Sequence, residues 1–292
     1  MAKDSKKIFI GFKIFTNFDD KKLIEKSKVK TTEISKAQYG RLVSKKDRHI
    51  TLFFIGDMKV KLIDEFIKKF PKFDEFLNFT GIFDRCIFLP YKNPKTVSYR
   101  ANFFQKEKIL LEYRDKIKKV LDGIEQDFTS QDLLPHMTLS RKPFQKNKWK
   151  NFFQKYPFYV EKVTLFQSLG MSNYKTLYEY ELSKPFEEIE HKADLAFIIK
   201  GESFLDLYLN AQIALCFKYS EMTPFVGVLD DNGNDYEFDD LDDVIIALNK
   251  KITEIDTEVG CSVKAINIYS EMEEQIISDV KKLLIWEMIV DV

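Results

Sequence analysis

The chain has 292 residues, 45% hydrophobic and 32% charged, which is enough to bury a core and long enough for two domains. Its zero net charge conceals a split: residues 187–292 carry 8 Lys+Arg against 24 Asp+Glu, a net of −16, leaving +16 on residues 1–186. Three scattered cysteines without a C-x-x-C pair exclude a disulfide framework, and no apolar run reaches the roughly 18 residues of a membrane helix. The start, Met1-Ala2-Lys3-Asp4-Ser5-Lys6-Lys7, does not read as a signal peptide, so a cytoplasmic protein with no membrane partner is expected. A basic half of this size would attract polyanions such as RNA.

Taken in order, Lys7–Ile14 reads as a buried opening strand, followed by a polar stretch of weak helical character to about Val43. A short apolar strand holds His49-Ile50-Thr51-Leu52. Met58–Phe70 has helical spacing, then strands are expected near Phe76–Phe83 and Thr96–Asn102. Lys106–Gly123 is a clear helix with a glycine stop, and Gln126–Leu134 is a loop leading to a second strand with His136-Met137-Thr138-Leu139. A lysine-rich helix near Lys146–Lys155 and strands at Tyr159–Gln167 and Lys175–Leu182 complete this half. Pro185 and Glu187-Glu188-Ile189-Glu190 mark a junction, giving domains 1–186 and 187–292. The second half reads as a strand to Lys200, an amphipathic helix Phe204–Phe217 capped by Ser203, and a turn at Asp230-Asp231-Asn232-Gly233. A helix Leu241–Ile255 and strands Ser262–Tyr269 and Leu284–Val290 follow.

Two of the chain's three histidines stand in the repeated His-x-Thr-Leu frame, 87 residues apart. On a strand, residues i and i+2 share a face, so His49 with Thr51 and His136 with Thr138 each point one way while their apolar neighbours anchor the other. Were the strands side by side, two imidazoles and two hydroxyls would converge. Such a set suits acid–base chemistry on a phosphodiester: one neutral imidazole takes a proton from water, one imidazolium gives a proton to the leaving oxygen, and hydroxyls hold the non-bridging oxygens. Arg141 could add a charge-assisted bond, but strict alternation turns it off the His136 face unless the chain bends. No metal-ligand spacing occurs in this half, so no cofactor is expected at this centre.

Residues 7–186 resemble the two-histidine (2H) phosphoesterase superfamily, and within it the LigT-like RNA 2′,3′-cyclic phosphodiesterases. The resemblance rests on Ile8–Ile14, on His49–Gly56, on Pro135–Arg141, and on Val163-Thr164-Leu165-Phe166-Gln167-Ser168 ahead of Tyr174 and Leu177. It implies an α+β, bilobal fold of two antiparallel sheets flanking a cleft with helices outside. It also implies metal-independent opening of an RNA 2′,3′-cyclic phosphate to a 2′-phosphate, with His49 as acid, His136 as base, and Thr51, Thr138 and Arg141 on the phosphate.

The acidic half, residues 187–292, is similar to archease, a small α+β activator of the RNA ligase that joins 2′,3′-cyclic phosphate or 3′-phosphate ends. The similarity lies in His191-Lys192-Ala193-Asp194, in Gly201 with Phe204–Ala211, in the Leu241–Ile255 helix, and in Ile289-Val290-Asp291-Val292. It implies a Ca²⁺ or Mg²⁺ site at Asp194, Asp291 and the carboxylate of Val292, with the ligase as a partner. Lys192, where a threonine is usual, departs from that pattern. Both resemblances point to RNA ends, in tRNA splicing or RNA repair. Two other readings compete: a non-catalytic protein that grips RNA ends and activates a ligase, and a phosphodiesterase for small cyclic or 2′-5′ nucleotides.

Overall fold

The computed structural model describes residues 4–27, 41–74, 76–104, 106–129, 132–190, 195–227, 236–267, 272–278 and 281–292. The chain forms two compact units. One comprises Met1–Phe73, Phe83–Tyr156 and Val160–Glu181, the other Asp74–Ile82, Pro157–Tyr159 and Leu182–Val292. The second unit thus draws two segments, Asp74–Ile82 and Pro157–Tyr159, from inside the basic half.

The elements of the basic half are β1 (Ser5–Thr16), α1 (Asp20–Ser27), β2 (Arg41–Leu42), β3 (Ile50–Lys59), α2 (Val60–Lys68), β4 (Thr80–Leu89) and β5 (Thr96–Asn102). They continue with α3 (Glu107–Asp122), β6 (His136–Arg141), α4 (Lys146–Phe152), β7 (Tyr156–Gly170) and β8 (Asn173–Glu181). The eight strands make one sheet in the order β1-β3-β6-β5-β4-β7-β8, with β2 on β6 and a further pairing of β1 with β7. The pairs β1–β3, β3–β6, β5–β6 and β7–β8 are antiparallel. The core side of the sheet is aromatic and aliphatic: Phe12, Phe83, Tyr99, Met137, Leu139, Phe158 and Leu165 are all fully buried.

The strand expected at Phe76–Phe83 begins instead at Thr80 and runs on to Leu89. Leu77 and Phe79 are buried without joining it, because this segment is held by side chains. Asn78 Nδ2 donates to the Lys200 carbonyl at 3.3 Å and Thr80 Oγ1 donates to Asn210 Oδ1 at 2.8 Å, all within the second unit.

In the acidic half the elements are β9 (Phe186–Ile189), β10 (Leu195–Gly201), α5 (Phe204–Lys218), a 3-10 turn at Ser220–Phe225, α6 (Leu241–Val259), β11 (Ala265–Ile266), β12 (Met272–Ser278) and β13 (Lys281–Asp291). β13 is the hub, paired antiparallel with β10, β11 and β12, while β9 pairs with β10. The junction expected around Glu187–Glu190 is therefore partly an edge strand, and β12 is a strand that its glutamates concealed. The Asp230–Gly233 turn lies outside the described residues.

α5 differs from its expected amphipathic form. Every residue from Asp206 to Cys216 is buried, so the helix has no water-facing side along that stretch. Ser203 and Asp206 cap the first turn, and Gln212 exchanges bonds with the backbone of Gly227. Gly201 permits the close approach of β10, since a Cβ there would lie 2.7 Å from the Asp206 Cβ. Among the described residues, no helix is long and apolar enough to cross a membrane.

Asn210, 2% exposed, donates to the Lys200 carbonyl at 2.6 Å and to Asn78 Oδ1 at 3.0 Å while accepting from Thr80. Asn210→Leu keeps the volume but strands these partners. It is expected to lower unfolding stability by about 2–4 kcal/mol in urea titration, and a loss under about 0.5 kcal/mol would mean that the network is not holding the segment.

Candidate active site

The two His-x-Thr frames lie next to each other. Ile50 of β3 pairs with Met137 of β6, and these residues are 1% and 0% exposed. In an antiparallel pair, one step either way sets His49 beside Thr138 and Thr51 beside His136. Burial follows the alternation read from sequence: His49, Thr51, His136 and Thr138 are half-buried, and Ile50, Leu52, Met137 and Leu139 are in the core.

Each histidine is held the same way. His49 Nδ1 lies 2.8 Å from the Asp47 carbonyl oxygen, and His136 Nδ1 lies 2.7 Å from the Leu134 carbonyl oxygen. A carbonyl only accepts, so each Nδ1 carries the hydrogen and each neutral ring keeps an unprotonated Nε2. The short segment before His49 is itself pinned. Ser44 Oγ donates to the Asp47 carboxylate, Arg48 Nε donates to the Val43 carbonyl at 3.2 Å, and Arg48 Nη1 pairs with Asp20 at 2.5 Å.

Apolar rings surround His49. Phe9 and Phe166 lie 4.9 and 5.1 Å from its ring centre, and Tyr174 meets it edge-on at 4.7 Å. Poor solvation by these walls holds the His49 pKa down to about 4, and the nearby charges of a protonated His136 and of Arg141 add to the effect. Burial also lowers the pKa of His136, against the bond to the Leu134 carbonyl, which raises it.

Arg141 joins the His136 face through a β-bulge. Ser98 of β5 pairs with Thr138 and Val97 pairs with Ser140, so Leu139 is the extra residue. Leu139 and Ser140 are both fully buried, and Arg141 then emerges on the side of His136 and Thr138. Its Nε donates to Ser172 Oγ at 2.5 Å. Met171 and Ser172 form the tip of the β7–β8 hairpin with φ of 53° and 65°, positions that ordinarily favour Asn-Gly. A strained tip thus fixes the arginine. The first frame has the same irregularity: Gly11 pairs with Thr51 and Ile10 with Phe53, skipping Leu52. There Phe54, 37% exposed, stands where the second frame has Arg141.

Three neighbours of the site were not legible as such. Ser98 lies with its Oγ 3.3 Å from Thr138 Oγ1, and Arg100 pairs with His136 across the sheet. Gly11 is a third, since a Cβ there would stand 2.9 Å from the Ile50 carbonyl oxygen and 3.4 Å from His49 Cδ2. A glycine inside a strand was the one available signal for close approach.

Of the expected metal donors in the acidic half, Asp194 lies outside the described residues. Asp291 is exposed at the end of β13, and the Val292 carbonyl oxygen accepts from Lys264 Nζ at 2.9 Å, which sets a cation where a metal would need a donor. Among the described residues there is no group of three or more His, Cys, Asp or Glu side chains that could hold a metal ion.

No family model and no curated protein matches the chain. Among solved structures, it is similar to E. coli LigT complexed with 3′-AMP, at 14% identity and a TM-score of 0.43 over 62% of this chain and 99% of that one. It is also similar to TT0787 of Thermus thermophilus, at 16% identity and a TM-score of 0.44 over 60% of this chain and 97% of that one.

The pKa depression of His49 makes two measurable statements. Its imidazole is expected to titrate near pH 4 in the NMR spectrum of the free protein, more than two units below a free histidine. Between that value and about 6.5 the unfolded chain binds the proton and the folded chain does not, so folding stability contributed by this group is complete above about pH 6.5 and is lost as pH falls toward 4. The loss is on the order of 3 kcal/mol and should be absent in His49→Phe; an equal acid sensitivity in that variant would assign the effect elsewhere.

Proposed function

We propose that the chain is a two-histidine phosphodiesterase that opens 2′,3′-cyclic phosphate ends of RNA to 2′-phosphates without a metal. The observation that carries this reading is the pair of imidazoles on adjoining strands. Each has its Nδ1–H spent on a backbone carbonyl and its Nε2 available, and each stands beside a threonine hydroxyl. Water attacks phosphorus and yields its proton to one neutral Nε2. The bond from phosphorus to O3′ breaks, and the protonated Nε2 of the other ring supplies the proton that O3′ needs. Thr51 and Thr138 donate to non-bridging oxygens, and Arg141, aimed by Ser172, balances the charge that grows there.

In the order that the family resemblance implies, His49 is the acid and His136 the base. The low pKa of His49 in the free protein means that this order requires the bound anion to bring the proton on. A basic half with a net charge of +16 suits an RNA substrate. The acidic domain, in this proposal, serves the RNA ligase that uses the same ends, in tRNA splicing or RNA repair, within a cytoplasmic protein.

The test is a short RNA ending in a 2′,3′-cyclic phosphate, incubated with the full chain and EDTA. Wild type is expected to convert it to a 2′-phosphate end, with His49→Ala and His136→Ala each slower by at least about 10²-fold. No turnover by folded wild type, or dependence on an added metal, would sink the proposal.

An activated diester with a nitrophenolate leaving group then separates the roles. It needs no acid, so His49→Ala is expected to recover most of its loss on that substrate and His136→Ala little. The reverse pattern would exchange the two assignments.

A further inference from the structure

The two frames repeat in sequence but not in what stands behind their threonines. Opposite Thr51 is Gly11, which has no side chain to offer and no space for one. Opposite Thr138 is Ser98, 0% exposed, with its hydroxyl 3.3 Å from that of Thr138. A threonine has one hydroxyl hydrogen, and if Thr138 gave it to Ser98 none would remain for an anion. If Ser98 donates instead, its own buried hydrogen is satisfied, and the Thr138 hydrogen is turned outward on the face that Arg141 reaches through the bulge.

We infer that Ser98 is a positioning residue that orients the Thr138 hydroxyl as a donor. The phosphate is then gripped mainly by the second frame, Thr138 with Arg141, while Thr51 contributes less. This rests on the phosphodiesterase reading for the identity of the anion. It adds an asymmetry that the repeated motif does not contain. Ser98 itself does not touch the substrate.

The experiment uses the full chain and two readouts: the Kd for inorganic phosphate, and KM against kcat on the cyclic-phosphate RNA. Ser98→Ala is expected to weaken phosphate binding about 5- to 10-fold, mostly as KM. Ser98→Cys, which keeps the buried volume but donates poorly, should fall with it. In double variants Ser98→Ala should add nothing to Thr138→Ala, while keeping its full effect on Thr51→Ala. The inference is overturned if Ser98→Cys binds phosphate like wild type, if the Ser98 and Thr138 effects simply add, or if wild type does not bind phosphate. Should wild type bind phosphate but leave cyclic ends intact, the substrate reading fails while the phosphate titrations still decide the role of Ser98.

Discussion

Everything at the candidate site depends on the backbone pairing of Ile50 with Met137, two core residues whose strands are separated by 87 positions along the chain. Their side chains point into the apolar interior, and the pleat then directs the flanking histidines and threonines the other way. Burying Ile50 and Met137 therefore presents the polar set, because a one-residue slip in register would exchange polar and apolar faces. Stability and chemistry are served by the same alternation.

On that platform the two histidines are tuned by what surrounds them. The bonds from Nδ1 to the Asp47 and Leu134 carbonyls select one tautomer for both rings. The surroundings of His49 then set it apart: Phe9, Phe166 and Tyr174 strip it of water, and the Arg141 guanidinium, joined by His136 whenever that ring is protonated, discourages its proton. An anion entering the site reverses that balance, so substrate and proton would arrive together.

Much of this was readable from residues alone. Spacing placed the two frames on strands and located α3 and α6 to within a few residues, while the adjacency of the two strands entered only as a condition. Three kinds of feature were not readable. A bulge is one unpaired residue, and Leu139 looks like any strand leucine, so the direction of Arg141 was lost. Partners across the sheet, such as Ser98 and Gly11, are decided by pairings 40 residues away in each case: Ser98 against Thr138 and Gly11 against Thr51. The buried stretch of α5 looked amphipathic because Asp206, Asn210 and Gln212 are polar, yet each is consumed by an internal bond. Local pattern reports periodicity, and these features are matters of tertiary accounting.

The bulge at Leu139 also changes how such a site can diverge. The outward direction of position 141 is owed to a single supernumerary residue, not to the identity of its neighbours. Strand register is therefore a variable of specificity in its own right. Pairing the same chain without the bulge, Leu139 against Val97 and Ser140 against Thr96, would leave both imidazoles and both hydroxyls in place while swinging the guanidinium into the interior. The corresponding bulge at Leu52 carries a phenylalanine at the equivalent position, so the two halves of the face already present a cation on one side and a ring on the other. Two frames built from the same few letters can thus acquire separate duties through the residue just past each kink, with the reacting groups untouched.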